Sequence, residues 1–252
     1  MSLWKDIPIR SIDCIYLVPS LRGHDTTIVN RQTYGLSFAY GGSICYRHNG
    51  KEYLSDHSRA ILLPQGQTYF LHRKESGDFP VINFTCEQDF DFSDFYVTPI
   101  RNPHAYLRDA ERMRELWLSQ KNPARMMSIF YDILSRLSEE ADADAPSLIT
   151  PAVDYLCKNF NDPSLSNERL AEQAKISEIY FRKLFKERYG VSPHQYLLEL
   201  RIRHAKLLLS EHSASVTSIA EACGFSSVYH FCRSFKQFTG QTPKEFEEGQ
   251  SK

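Results

Sequence analysis

Two hydrophobic periods divide the chain. As far as Cys86 the apolar residues fall in short runs separated by turn residues, and from Leu107 onward they recur three and four positions apart. The first pattern is that of strands and the second that of helices. Residues 1–30 carry little pattern beyond a candidate strand at Ile12–Val18. Leu36-Ser37-Phe38-Ala39-Tyr40 alternates loosely up to Gly41-Gly42. Ser43–Arg47 and Lys51–Leu54 flank His48-Asn49-Gly50, which predicts a hairpin because Asn-Gly accepts positive φ. Ala60–Leu63 stops at Pro64, Gln65-Gly66 turns, Thr68–His72 resumes and Val81–Cys86 adds a further strand. Short strands at this spacing predict a sandwich or a small barrel.

The helical part opens with Leu107, Ala110, Met113 and Trp117 on one face, followed by Met126, Phe130, Ile133, Leu134 and Leu137 on another. Asn122-Pro123 separates them, so two antiparallel helices are expected. Glu139–Pro146, EEADADAP, has no large apolar residue and reads as a solvated linker. Thr150-Pro151 is expected to cap a helix with Ile149, Val153, Leu156 and Phe160 on one face.

The last third repeats itself. Leu170–Tyr196 reads LAEQAKISEIYFRKLFKERYGVSPHQY, and Ile219–Phe246 reads IAEACGFSSVYHFCRSFKQFTGQTPKEF. Leu170-Ala171-Glu172 and Ile176-Ser177 match Ile219-Ala220-Glu221 and Phe225-Ser226 at an offset of 49. One inserted residue shifts the offset to 50, where Phe181, Phe185, Lys186, Gly190, Pro193 and Tyr196 match Phe231, Phe235, Lys236, Gly240, Pro243 and Phe246. Each unit reads as a short helix, a turn, and a basic helix with Phe231, Phe235 and Phe238 (or Phe181, Leu184 and Phe185) facing inward. Gly240 is a helix stop and Thr242-Pro243 a helix start. Two units do not make a solenoid; they make two helix-turn-helix motifs in tandem. Ser192-Pro193 opens a helix running to about Ser210, with Leu197, Leu200, Ala205, Leu208 and Leu209 on its apolar face. Such a spacer, roughly 22 Å long, suits two recognition helices set about 34 Å apart in successive major grooves.

Composition refines this picture. The 252 residues are 42% hydrophobic, enough for one large or two ordinary cores, and the net charge of −1 excludes a global basic field. Residues 148–252 carry a net +2 against −3 for the remainder, so any affinity for nucleic acid rests on local placement. Tyr180–Tyr189 holds four basic residues and one acid, and Val228–Thr239 holds two and none. Cys14, Cys45, Cys86, Cys157, Cys223 and Cys232 form no C-x-x-C pair, which argues against a zinc site and a secreted disulfide scaffold. MSLWKDIPIR has no apolar signal core and no run reaches 18 apolar residues, so no membrane association and a cytoplasmic location are expected.

LAEQAKIS-x-x-YFRKLFKERYGVSPHQYLLELRIRHAKLLL and SVTSIAEACGFSSVYHFCRSFKQFTGQTPKEF together resemble the AraC/XylS family of bacterial transcription regulators over about 100 residues. The second stretch follows that family's I-A-x-x-x-G-F, F-x-R-x-F-K and G-x-x-P-x-x-F pattern. The resemblance implies an α+β chain of two domains: a cupin-like barrel at 1–102 that senses a ligand or dimerises, a helical hairpin at 103–140, a linker at 141–147 and the DNA-binding domain at 148–250. ILLPQGQTYFLHR is similar, more faintly, to a strand-turn-strand of such sensors.

Helical spacing leaves Ile179, Arg182, Lys183 and Lys186 on the outer side of the first recognition helix, and Tyr229, His230, Arg233 and Lys236 on that of the second. By position in the family's motif, Ile179, Arg182, Lys183, Tyr229, His230 and Arg233 are the expected base readers, with arginine suited to guanine O6 and N7. Lys186 and Lys236 lie a turn further on and are expected at phosphates. Phe38, Tyr40, Tyr46, Tyr69 and His72 are candidates to line a barrel pocket, with plain core packing as the alternative reading. His24, His48, His57, His72 and His104 contain no H-x-H, so neither metal nor any other cofactor is expected. The function implied is a sequence-specific, double-stranded-DNA-binding regulator, an activator working with RNA polymerase. A small-molecule effector such as a sugar or other metabolite is expected. A homodimer joined through the helices around Trp117 and Phe130 is also expected. A barrel that only dimerises fits equally. The reading from another class is a metal-dependent cupin enzyme fused to a DNA-binding module.

Overall fold

Asn49 and Gly50 take φ of 48° and 76° and close the hairpin between β4 (Ser43–His48) and β5 (Lys51–Ser55). That hairpin belongs to the first of two units, residues 1–145 and 146–252. The structure, a computed structural model, describes residues 3–87, 92–120, 122–141, 147–212 and 214–250. The other strands of the first unit are β1 (Ile9–Ser20), β2 (Asp25–Ile28), β3 (Tyr34–Phe38), β6 (Arg59–Leu63), β7 (Tyr69–Glu75), β8 (Gly77–Cys86) and β9 (Tyr96–Pro99). Two of these were not anticipated: β2 and β9 are four-residue edge strands, too short to show alternation.

All pairings are antiparallel, β1 with β8, β2 with β7, β3 with β6 and β4 with β5. The strands of the first unit thus form a long ribbon folded on itself, with alternate rungs in alternate sheets. One sheet runs β1-β8-β3-β6-β9 and the other β2-β7-β4-β5. Of the two expectations, sandwich or small barrel, the strands follow the first: they form two separate sheets and not one closed barrel, and apolar side chains join them. Between them pack Ile44, Tyr46, Ile61, Leu63, Tyr69, Leu71 and Phe79, with Phe95 at the centre of an aromatic group.

β3 is buried at every residue because both its faces are covered. Ser37 faces the sandwich interior and accepts from Tyr46 Oη at 3.4 Å. Phe38 points the other way and meets Tyr106 of α1 (Pro103–Leu118), ring centroids 5.6 Å apart. Phe130 of α2 (Pro123–Ala141) meets Phe84 at 5.1 Å, and Trp117 Nε1 donates to the Asp13 carbonyl at 3.1 Å. The apolar faces of both helices are therefore occupied by their own sheet. This removes the reason for placing a dimer contact at Trp117 and Phe130. α2 runs to Ala141, so Glu139 and Glu140, which composition alone placed in the linker, are helical as the 103–140 hairpin implies, and Glu140 accepts from Tyr106 Oη and the Arg101 amide at 3.1 and 2.8 Å. Of the expected linker, residues 142–146 lie outside the described residues.

The second unit contains α3 (Thr150–Lys158), α4 (Asn167–Gln173), α5 (Glu178–Tyr189), α6 (Pro193–Ser210), α7 (Val216–Ala222), α8 (Val228–Thr239) and α9 (Pro243–Gln250). α3 is capped by Ile149, one residue before the expected Thr150, with no side-chain cap bond. Its first turn is held by burial: Ile149, Ala152, Val153 and Leu156 are all in the core. The other helix starts are built on hydroxyls. Ser166, Ser177, Ser192, Ser215 and Ser227 each accept from a backbone N–H three residues on, at 3.1–3.4 Å. Among the described residues no helix is long and apolar enough to cross a membrane.

Candidate nucleic-acid interface

The two halves of the second unit are copies in structure as in sequence. α4 corresponds to α7, α5 to α8 and the start of α6 to α9. The extra residue of the second copy is Ser226, one place earlier than the sequence alignment put it, since the cap Ser177 corresponds to Ser227. Each recognition helix is fastened by two phenylalanines with no exposed surface, Phe181 and Phe185 in α5, Phe231 and Phe235 in α8, both pairs 5.6 Å apart. Phe185 meets Tyr196 of α6 and Phe235 meets Phe246 of α9, closing each half in the same way. Both helices end on a left-handed glycine, Gly190 at φ 74° and Gly240 at φ 79°. Phe238, expected inside, is 43% exposed, and Ser234 is buried in its stead. Three-residue spacing from Phe235 puts Phe238 beside the inner face, but in the last turn of α8 that face has run past its neighbours.

Anchoring one side of each helix fixes what the other presents. Ile179 and Tyr229, equivalent residues, are 82% and 77% exposed. Arg182, Lys183 and Lys186 are exposed on α5, as are His230, Arg233 and Lys236 on α8. The eight expected DNA-contact residues thus form two outward groups, one per helix. Arg182 lies 3.6 Å from Glu178 and Lys183 lies 3.9 Å from Glu187. Exposed i,i+4 pairs are worth about 0.3–0.5 kcal/mol, less than the 1–3 kcal/mol of a good bidentate base contact, so neither pair prevents redeployment. On α8 the positions equivalent to those glutamates are Val228 and Gln237, and no acid opposes Arg233 from its own helix.

Beside α5 lies a cleft of about 580 Å³ where Arg182, Lys183 and Lys186 meet Asn167 of α4 and His194 at the start of α6. Sequence reasoning missed Asn167 and His194, whose only signal is that each lies in the first turn after a serine cap. It also passed over Tyr180, 46% exposed and equivalent to His230. The halves are tied through Arg201 of α6. Its Nε and Nη2 donate to the carbonyls of Phe160 and Asp162 at 2.7 and 2.8 Å, and its guanidinium lies 5.8 Å over Phe225 of the second half. Asp162 in turn binds the hydroxyl and amide of Ser164 and Arg169 Nη1, which bring its carboxyl down to about 2.

The first-unit candidates do not converge. Tyr46 and Tyr69 face each other inside the sandwich, 6.0 Å apart. Phe38 and Tyr40 lie under the helices, Tyr40 against His104. His72 is on the outside of its sheet, 2.5 Å from Asp25. Strand alternation separates them: Phe38 and Tyr40 have the opposite parity to Ser37, and His72 the opposite parity to Tyr69 and Leu71. Among the described residues no group of three His, Cys, Asp or Glu is placed to hold a metal ion.

The fold and this double face define a tandem helix-turn-helix protein. Residues 170–249 match the family model described as a helix-turn-helix domain. The second unit is a helix-turn-helix domain of the AraC type, as its motifs led us to expect. Over 98 residues it is 41% identical to an uncharacterized helix-turn-helix-type transcriptional regulator of Staphylococcus aureus, covering 39% of this chain and 13% of that one. Over 97 residues it is 35% identical to the transcriptional regulator ArgR of Pseudomonas aeruginosa, covering 38% and 29%. The chain thus spans less than a third of the length of these two relatives. With the transcriptional activator RhaS of Escherichia coli it shares 22% identity over 260 residues, covering 97% of this chain and 88% of the activator.

Proposed function

We propose that this chain is a sequence-specific regulator that binds double-stranded DNA through α5 and α8 in successive major grooves. The observation that carries the reading is the duplicated outer face: at equivalent positions of two equally anchored helices, an exposed apolar residue is followed by exposed cations. A single basic helix is an ordinary solvated surface. Two copies held by one rigid spacer are a reading head with a defined spacing. Ile179, Arg182, Lys183, Tyr229, His230 and Arg233 address base edges, and Lys186 and Lys236 address phosphates. α6 has 18 residues, about 27 Å of stiff helix, which suits two contacts about one turn of duplex apart.

The first unit acts as sensor or dimerisation module. Its strand order is that of a double-sheet jelly roll, the architecture to which cupins belong. Working in the cytoplasm as a homodimer, the protein activates transcription by RNA polymerase, in keeping with the activator it resembles over nearly its whole length. Selection of bound sites from random duplexes tests the core of this reading. The expected product is a two-part site with centres about 10 base pairs apart and an affinity that falls steeply with salt. Recovery of no preferred sequence would overturn it.

A further inference from the structure

Polar groups inside the sandwich of the first unit are unbalanced in one direction. Arg31 lies between β2 and β3, its amide donating to the Gln67 carbonyl at 3.0 Å and its carbonyl accepting from Gly66 at 2.7 Å. Its side chain passes over Gly35, where any Cβ would strike the guanidinium. Nη1 donates to Tyr69 Oη at 3.0 Å, Nη2 donates to Asn83 Oδ1, and Nε is buried with no partner. Arg73 shares the inward parity of Tyr69 and Leu71 on β7. Its Nη1 donates to the His24 carbonyl and Thr26 Oγ1, both at 3.3 Å, and its Nε is likewise buried without a partner. Among the described residues neither arginine forms a salt bridge. Asp25, the acid whose field Arg73 feels, is engaged by His72.

Both guanidinium groups also act on one phenol. Burial pushes the Tyr46 hydroxyl up to about 12, and Arg31 and Arg73 both oppose that rise. Tyr69 Oη accepts from Arg31, and among the described residues its own proton has no acceptor. Among the described residues the interior therefore offers two positive charges, two unpaired guanidinium N–H groups and a free phenolic O–H, against no carboxylate bound to either arginine. Buried polar groups are nearly always satisfied, and a buried charge without a counter-charge is costly. Both arginines are only part-buried as whole residues, so the place is open to solvent at its margin. A neutral polyol would supply acceptors but leave the charge standing. A carboxylate or phosphoryl group brings acceptors and charge together, in a shape that the planar guanidinium fork matches.

We propose that Arg31 and Arg73, with Tyr46 and Tyr69, form the seat of an anionic effector, a small organic acid or phosphate ester. The proposal rests on reading this unit as a sensor, and narrows the effector from any metabolite to an anion. The test is thermal unfolding of the full chain in Tris chloride with acetate, succinate, inorganic phosphate or glucose 6-phosphate, and with acetamide and glucose as uncharged controls. At least one anion is expected to raise the Tm by roughly 5 °C near saturation. Acetate and succinate report the carboxylate source, and the phosphates report the other. Arg31→Met and Arg73→Met are each expected to abolish the response, with a Tm in chloride alone equal to or above wild type. Three results overturn the proposal: no anion exceeding its uncharged control, an anion stabilising the variants as much as the wild type, or variants that lose stability in chloride because the arginines are structural ties. Binding of the selected duplex is measured on the same samples. Retained duplex binding with no anion response sinks only this inference, whereas lost duplex binding in the wild type counts against the regulator reading.

Discussion

Arg233 and Lys236 sit one turn apart on α8 and, on the proposed reading of Arg233 at base edges and Lys236 at phosphates, should behave differently. Arg233→Ala is expected to weaken the selected site by about 1–3 kcal/mol and to relax a single base position. Equal weakening across all sequences would reassign it to phosphate. Lys236→Ala should lower affinity for every sequence alike and reduce the salt slope by about one unit. Ile179 has no donor or acceptor, and the apolar group available to it in the major groove is the thymine methyl. Replacing thymine by uracil at one position of the first half-site should therefore weaken the wild type and leave Ile179→Ala unaffected, as read by competition binding. All these residues were legible from 3.6-residue spacing, since the deeply buried phenylalanines fix which side is out. Phe238 was misread by the same rule, which describes a helix face and not how far its neighbours extend. Arg31 and Arg73 gave no signal at all, because an arginine turned inward looks the same in a sequence as one turned outward.

At the scale of elements, the two copies of the first turn differ instructively. Gly224, at φ 78°, has Asn161 backbone atoms so near that any Cβ would meet them at 2.7 Å. Lys175, its counterpart, adopts φ 55° with a side chain, a conformation that disfavours L-residues by roughly 1–2 kcal/mol. Lys175→Gly should raise stability by about 0.5–1 kcal/mol in urea titration, after the greater freedom of glycine in the unfolded chain is deducted. α6 carries a second imbalance. His204 is mostly buried against Phe160, Nδ1 has no hydrogen bond, and burial holds its pKa below the ordinary histidine value of 6.5. The unfolded chain then binds the proton more readily than the folded one. Stability is full above pH 6.5 and falls as the pH drops through the folded pKa. His204→Leu should flatten the midpoint of urea unfolding over pH 5–7. An unchanged slope would show that another group governs that range. Most helix limits were readable from serine and proline starts and glycine stops. β2 and β9 were not, because four residues at a sheet edge are made into strands by their partners.

At the scale of the molecule, α6 carries the spacing. Pro193 to Ser210 is a single helix, and Arg201 fastens the α3–α4 connection to it while lying against Phe225. Inserting five base pairs between the selected half-sites turns one groove to the far side of the duplex, and should lower affinity to that of one half-site alone. A fragment beginning at Ala145 should fold and bind the same duplex, since the second unit has its own core. Failure of that fragment to bind, with a native circular-dichroism spectrum, would show that the first unit contributes contacts of its own.

The sequence by itself determined the local and the repeated. Helical and strand periods, the Asn-Gly hairpin, the helix caps and the fifty-residue duplication all follow from interactions between residues near in the chain, where spacing alone decides which side is apolar. Even the two outward groups of cations follow from that. Tertiary structure decided whatever depends on which distant segments meet. It left the strands as two sheets joined by side chains, sent Phe38 and Tyr40 under the helices and Tyr46 and Tyr69 between the sheets, and covered the faces of Trp117 and Phe130. It also brought Arg31 and Arg73, forty-two positions apart, to act on one buried hydroxyl. Long-range pairing sets those outcomes, and for the strand residues Phe38, Tyr46, Tyr69 and Arg73 a one-residue change of register would reverse the face.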